Sequence, residues 1–137
     1  MNYLLDTGVF LWSLGAEHKL NKKALELLSS KSAKLYLSAA SSWEIAIKFA
    51  LGDLTLPNPP SQFIPRAMSS LAIGSLEITH SHALLAGELP PHHRDPFDRM
   101  LIAQAREEAM PIVSGDPVFG SYNVPVIWDQ AEAPRAT

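Results

Sequence analysis

Four acidic residues in this chain stand beside apolar segments that a fold would bury. Asp6 ends the run Tyr3-Leu4-Leu5, and Glu44 lies within Ser41-Ser42-Trp43-Glu44-Ile45-Ala46-Ile47-Lys48. Asp98 opens the helical stretch Asp98-Arg99-Met100-Leu101-Ile102-Ala103-Gln104-Ala105, and Asp116 follows Ile112-Val113-Ser114-Gly115. A charge next to a buried element is unfavourable unless something compensates it. Converging acids repel one another, so a divalent cation is the natural counter-charge. An all-oxygen donor set suits Mg²⁺ or Mn²⁺, which prefer octahedral oxygen-rich sites and retain waters. Such an ion activates water and stabilises charge on a phosphate.

Each acid has a plainer explanation when taken singly. Asp98 and Asp116 would suit helix N-termini, where a carboxylate interacts well with the macrodipole. Glu44 could pair with Lys48 at i, i+4, a surface contact worth roughly 0.2–0.5 kcal/mol. Asp6 is the hardest to place as a free surface charge, because Leu4-Leu5 precede it and Val9-Phe10-Leu11-Trp12 follow. The four together are more specific than any one of them. Two histidine pairs compete for attention: His80 with His82, and His92-His93 just ahead of Asp95. A zinc site of His and Asp is conceivable, but histidines in a polar loop are more often solvent-exposed. The chain has neither a Gly-x-x-x-x-Gly-Lys phosphate loop nor a Gly-x-Ser-x-Gly nucleophile turn.

The elements that must position these acids alternate in type. Residues 3–6 read as a short buried strand and 7–14 as a helix. Asn21 caps a helix over 22–29, and 35–38 form a second strand. Ser41 or Ser42 caps a helix reaching Leu51, with Gly52 past its end. Residues 53–60 form a loop, 62–70 a helix, 76–79 a strand and 81–87 a short helix. The rigid segment 89–96 leads into a helix over 97–109. Residues 111–113 and 124–128 are the last strands, around a helical turn near Asp116-Pro117, and 129–137 form a flexible tail. This alternation predicts an α/β fold with a mainly parallel sheet covered on both faces. Ligands bind such folds beyond the carboxyl ends of the strands, where strand order reverses. All four acids can face that one crevice.

Composition bounds the rest. With 137 residues, 47% of them hydrophobic, the chain reads as one domain, residues 1–137, with a real core. It has no cysteine, hence no disulfide framework or thiolate zinc site, in keeping with a reducing cytoplasm. Asp6 interrupts the apolar stretch at the N-terminus and no basic leader precedes it, so neither a signal peptide nor a membrane span is expected. The net charge is −3; the lysines cluster in the first 50 residues and the remainder is acidic. That balance is not the footprint of a strongly basic nucleic-acid binder. It neither supports nor excludes an RNA substrate, because an acidic metal site supplies several of the negatives itself.

At these residues the chain resembles the PIN-domain family, and more narrowly the VapC-like ribonuclease toxins of prokaryotic toxin–antitoxin pairs. The matching pieces are Leu4-Leu5-Asp6-Thr7, Ser42-Trp43-Glu44-Ile45-Ala46-Ile47-Lys48, the run from His93-Arg94-Asp95-Pro96-Phe97-Asp98 to Ala105, and Ser114-Gly115-Asp116 with Phe119 and Tyr122. They occur in family order from Leu4 to Trp128. The resemblance implies a three-layer α/β/α fold and a Mg²⁺- or Mn²⁺-dependent endoribonuclease with Asp6, Glu44, Asp98 and Asp116 as its acidic quartet. It also implies dimerisation and neutralisation by a small antitoxin, as a homodimer or a toxin–antitoxin hetero-oligomer. Ser114 fills a place where the family often has Thr or Ser. Asp95 is an extra acid; only Asp98 has the right spacing to Ala103 and Ala105, which leaves Asp95 a supporting group. Thr7 and Ser114 join it as supporting or substrate-facing residues, and Lys48, Arg94 and Arg99 are candidate phosphate contacts.

Two rival readings use the same acids. A receiver-like signalling module would need an acid pair at the first strand, and Asp6 has no acidic neighbour. A PIN-like module that binds RNA or protein without cleaving would not need an intact quartet. Finally, Trp12, Phe49, Phe63, Met68 and Leu71 fall on segments that a small domain need not cover fully. Core packing is the plain reading; beside the toxin resemblance, they would form a groove for an amphipathic antitoxin helix.

Overall fold

Strand β1 (Asn2–Leu5) is short and apolar, and it takes the centre of a five-stranded sheet. Its neighbours are β2 (Lys34–Ser38) and β4 (Ile112–Val113), flanked by β3 (Ile73–Leu76) and β5 (Val126–Ile127) in the order β3-β2-β1-β4-β5. Every pairing is parallel, with Tyr3 opposite Leu35 and Leu5 opposite Val113. The computed structural model describes residues 1–128 of the chain; the predicted tail lies outside the described residues.

A parallel sheet needs cover on both faces, which is why its strands read as continuous apolar runs. Leu5, Leu35, Leu37 and Val113 pack on one face with Val9, Phe10, Ala24, Ile45, Ile64 and Ala67. These come from helices α1 (Thr7–Trp12), α2 (Lys22–Ser29), α3 (Ala39–Ala50) and α4 (Pro60–Ser70). Leu4 and Ile112 face the other way, against Leu101, Ile102 and Ala105 of α6 (Pro96–Glu108) and against Phe119 and Tyr122. Helix α5 (His80–Glu88) packs against α6 on that side.

Several boundaries differ from those the sequence suggests. Helix α3 is capped by Ser38, whose side chain accepts the Ala40 N–H at 3.0 Å, not by Ser41 or Ser42. The chain turns from strand to helix without a loop, which carries Ser41 inward. Strand β3 lies three residues earlier than expected, because Ala72 makes the turn with φ 54° and Thr79 caps α5. Helix α6 starts at Pro96 with Asp95 as its cap, which places Asp98 inside the first turn. A 3₁₀ turn at Glu17–Lys19, between α1 and α2, was not expected.

Candidate active site

Strand order reverses between β1 and β4, and the crevice beyond their carboxyl ends is where such sheets bind ligands. Asp6 directly follows β1 and Ser114 directly follows β4. Asp6 caps α1 through Oδ1, which accepts the Val9 N–H at 2.6 Å. Its Oδ2 accepts a very short hydrogen bond from the Ser114 hydroxyl. Ser114 Oγ in turn accepts the Asp116 N–H at 3.0 Å, which ties the two strand ends to the last acid. Burial pushes the Asp6 carboxyl up to about 6; the bonds from Ser114 and Val9 oppose the rise, and the charges of Asp98 and Asp116 add to it. Asp116 is exposed and caps the 3₁₀ turn Pro117–Tyr122 by accepting the Val118 N–H.

Glu44 enters from the second turn of α3 and is buried. Its Oε1 accepts the Thr7 hydroxyl at 2.8 Å, and Thr7 Oγ1 is also 2.9 Å from Ser41 Oγ. Thr7 is the donor in both contacts, its one hydroxyl hydrogen shared between the Glu44 carboxylate and Ser41 Oγ. Glu44 Oε2 pairs with Lys48 Nζ at 2.8 Å. That bond raises the Lys48 ammonium above its ordinary value against the effect of burial, with help from Glu44, Asp95 and Asp98 charges.

Asp98 meets this group from α6. Its Oδ2 lies 2.7 Å from His93 Nε2. Burial raises the Asp98 carboxyl and the His93 bond opposes this, while Asp95 and Glu44 push it further up. The acids therefore share one electrostatic neighbourhood, with Asp98 felt by Asp6 and feeling Glu44. Among the described residues, no three of the four expected acids bring ligand oxygens within 4.8 Å of one another. His93, Asp95 and Asp98 do so. A hard divalent ion fits the oxygen-rich chemistry of this crevice.

His93 is the site residue that sequence reasoning left without a role. Its N–H donates to Tyr122 Oη at 2.7 Å, and Tyr122 donates to the Pro90 carbonyl at 2.8 Å. Arg99 completes the frame by donating to the carbonyls of Pro90, His93, Ala86 and Leu89 at 2.8–3.1 Å. The expectation of Arg99 at a phosphate gives way to this clamp, which already engages both terminal nitrogens. Arg94 is exposed. The expected histidine pairs split: His80 and His92 are exposed and His82 is buried. His82 Nδ1 accepts the Thr79 N–H, which leaves Nε2 to donate to Glu108 at 2.8 Å. Both its nitrogens are engaged in capping α5 and joining it to α6.

A family model described as the PIN domain matches residues 3–124. The chain belongs to the PIN domain family. It is similar to Ribonuclease VapC16 of Mycobacterium tuberculosis, 42% identical over 48 residues. That match takes in 35% of this chain and 34% of the relative, about a third of the relative's length. The fold is shared with the VapBC2 complex of Rickettsia felis bound to a promoter DNA fragment, at TM-score 0.69 and 16% identity over 94% of this chain and all of that one. FitAcB of Neisseria gonorrhoeae matches at TM-score 0.61 and 19% identity, over 93% of this chain and 96% of that one. In this PIN domain the sheet is parallel and covered on both faces, as the sequence predicts.

Proposed function

We propose that this PIN domain is a metal-dependent endoribonuclease and the toxin of a toxin–antitoxin pair, acting on RNA in the cytoplasm. The observation that carries the reading is Asp6: a partly buried carboxyl at the switch point, raised by burial and by two neighbouring acids. A crevice that opposes its own negative charge favours a cation. Asp6, Glu44, Asp98 and Asp116 would hold Mg²⁺ or Mn²⁺. When bound, the ion supplies an activated water and neutralises charge on the phosphodiester.

The protein's own groups set the geometry. Ser114 and the Val9 N–H fix both oxygens of Asp6, Thr7 and Lys48 fix those of Glu44, and His93 orients Asp98. Asp95 holds the start of α6 by accepting the Phe97 N–H at 2.9 Å. Lys48 keeps its ammonium charged among the acids, where it can also meet a substrate phosphate.

A small antitoxin is the proposed partner, with a homodimer or a toxin–antitoxin hetero-oligomer as the assembly. Trp12, Phe63, Met68 and Leu71 are only partly buried against the core. Leu71 also lines a cavity of about 240 Å³ with Leu25, Leu28 and Leu35. These features support a seat for the apolar face of an amphipathic helix.

Purified protein is expected to cleave unstructured RNA with Mg²⁺ or Mn²⁺ and to stop in EDTA. Asp6→Asn is expected to abolish cleavage while circular dichroism and melting show a folded chain. Full activity of folded Asp6→Asn would end the mechanism. RNA binding without cleavage in either ion would replace the nuclease by a binding module.

A further inference from the structure

A cavity of about 530 Å³ opens beside the acids and extends past them. Its walls include Asp6 and Asp116, but also Trp12, His18, Lys19 and Trp128, none of which belongs to the acidic quartet. His18 and Lys19 sit on the 3₁₀ turn between α1 and α2, and both are exposed. The Lys19 ammonium lies 5.9 Å from the centroid of the Trp12 ring, which holds the cation at the groove. Among the described residues Lys19 forms no salt bridge. The Trp128 indole lies directly over Gly115, so close that a Cβ there would fall 2.9 Å from two of its ring carbons. An aromatic wall thus stands between Ser114 and Asp116. Proteins that bind single-stranded nucleic acid without reading its sequence pair cationic side chains along the backbone with aromatic rings for the bases; this groove offers one lysine and two indoles beside its two acids.

The geometry points to this groove as the seat of the nucleotide next to the scissile phosphate of a single-stranded RNA, with Lys19 on its phosphate and the Trp12 and Trp128 indoles facing its base. The inference rests on the nuclease reading above and names the binding surface of that same site. An RNA strand meets positive charge at Lys19 and, once the acids hold their ion, beside Asp6 as well. An acidic peptide would gain from Lys19 but offers no bases for the two indoles.

The test compares the parent protein with Lys19→Ala, Lys19→Arg and the remote control Lys31→Ala on an unstructured, end-labelled RNA. Steady-state cleavage in Mg²⁺ gives KM and kcat. Fluorescence anisotropy with an Asp98→Asn background, whose change lies outside the groove lining, gives affinity across a salt series. Lys19→Ala is expected to raise KM and weaken binding about 5-fold at low salt with kcat near the parent value. Its log–log salt slope should be shallower by about 0.7, the share of one phosphate on a single strand. Lys19→Arg should restore both, and Lys31→Ala should match the parent. Unchanged KM, affinity and salt slope in Lys19→Ala would overturn the inference. So would a polyglutamate peptide that competes as well as RNA at equal charge, since the groove would then be a site for acidic protein segments. Absent cleavage in both ions would defeat the nuclease reading alone, and the anisotropy series would still decide the groove.

Discussion

Asp6 does two things that conflict. As the cap of α1 and the acceptor from Ser114 it stabilises the junction of two strands, yet burial and its acidic neighbours disfavour its charge. Its carboxyl is raised from 3.8 to about 6 in the folded protein. Between those values the folded state binds more protons than the unfolded one, so this group's contribution to stability falls as pH rises through that window. At pH 7 the deficit is at most about 3 kcal/mol. Asp6→Asn keeps a capping oxygen and removes the charge. In EDTA, urea unfolding should show Asp6→Asn more stable than the parent at pH 7, with the difference closing as pH falls towards 4. A gap that widens at low pH would mean that Asp6 is not raised. The same proton must leave before a cation can bind, so stabilisation of the parent by Mg²⁺ should grow as pH rises through about 6.

The elements carry these residues through contacts of unequal legibility. Asp6, Glu44 and Asp98 were readable because each adjoins an apolar run whose period marks a strand or helix. The start of α3 was not: Ser38, Ser41 and Ser42 are all good caps by type, and only the direct turn out of β2 selects Ser38. Strand β3 was misplaced because Ile73-Gly74-Ser75-Leu76 has little apolar pattern of its own and takes its register from β2. The role of His93 was illegible for a further reason. It depends on backbone carbonyls and on Tyr122, groups far apart in sequence and invisible to periodicity. Arg99 holds that arrangement from α6. Arg99→Ala removes charged hydrogen bonds worth about 1.5–3 kcal/mol each in favourable cases. It should destabilise the fold by roughly 2–3 kcal/mol and lower kcat even where the protein is fully folded, because His93 no longer fixes Asp98. Arg99→Lys cannot span four carbonyls and should recover little. Activity equal to the parent in folded Arg99→Ala would show that the loop keeps its place without the clamp.

At the scale of the whole molecule, the fold draws acids from four separate elements into one field. Asp98 feels Glu44 from α3 and Asp95 from its own cap, and Asp6 feels both Asp98 and Asp116. The parallel sheet imposes this, since every strand delivers its carboxyl end to the same edge. The core must therefore offset a repulsion that no pair of these residues would create alone. A ligand that binds only the folded state returns stability in proportion to its concentration over its dissociation constant. Metal and fold are then linked, and one substitution separates them. Asp98→Asn removes a charge from the middle of the group and can keep a hydrogen bond to His93. It should raise the melting temperature of the metal-free protein and shrink the gain on adding Mg²⁺. Asp53→Asn, at an exposed residue just beyond α3, should change neither. Both readings come from the same melting curves with and without Mg²⁺, and neither needs an RNA substrate. If Asp98→Asn melts no higher than the parent without metal and gains as much with it, the acids do not act as one group, and each answers only to its own local contacts.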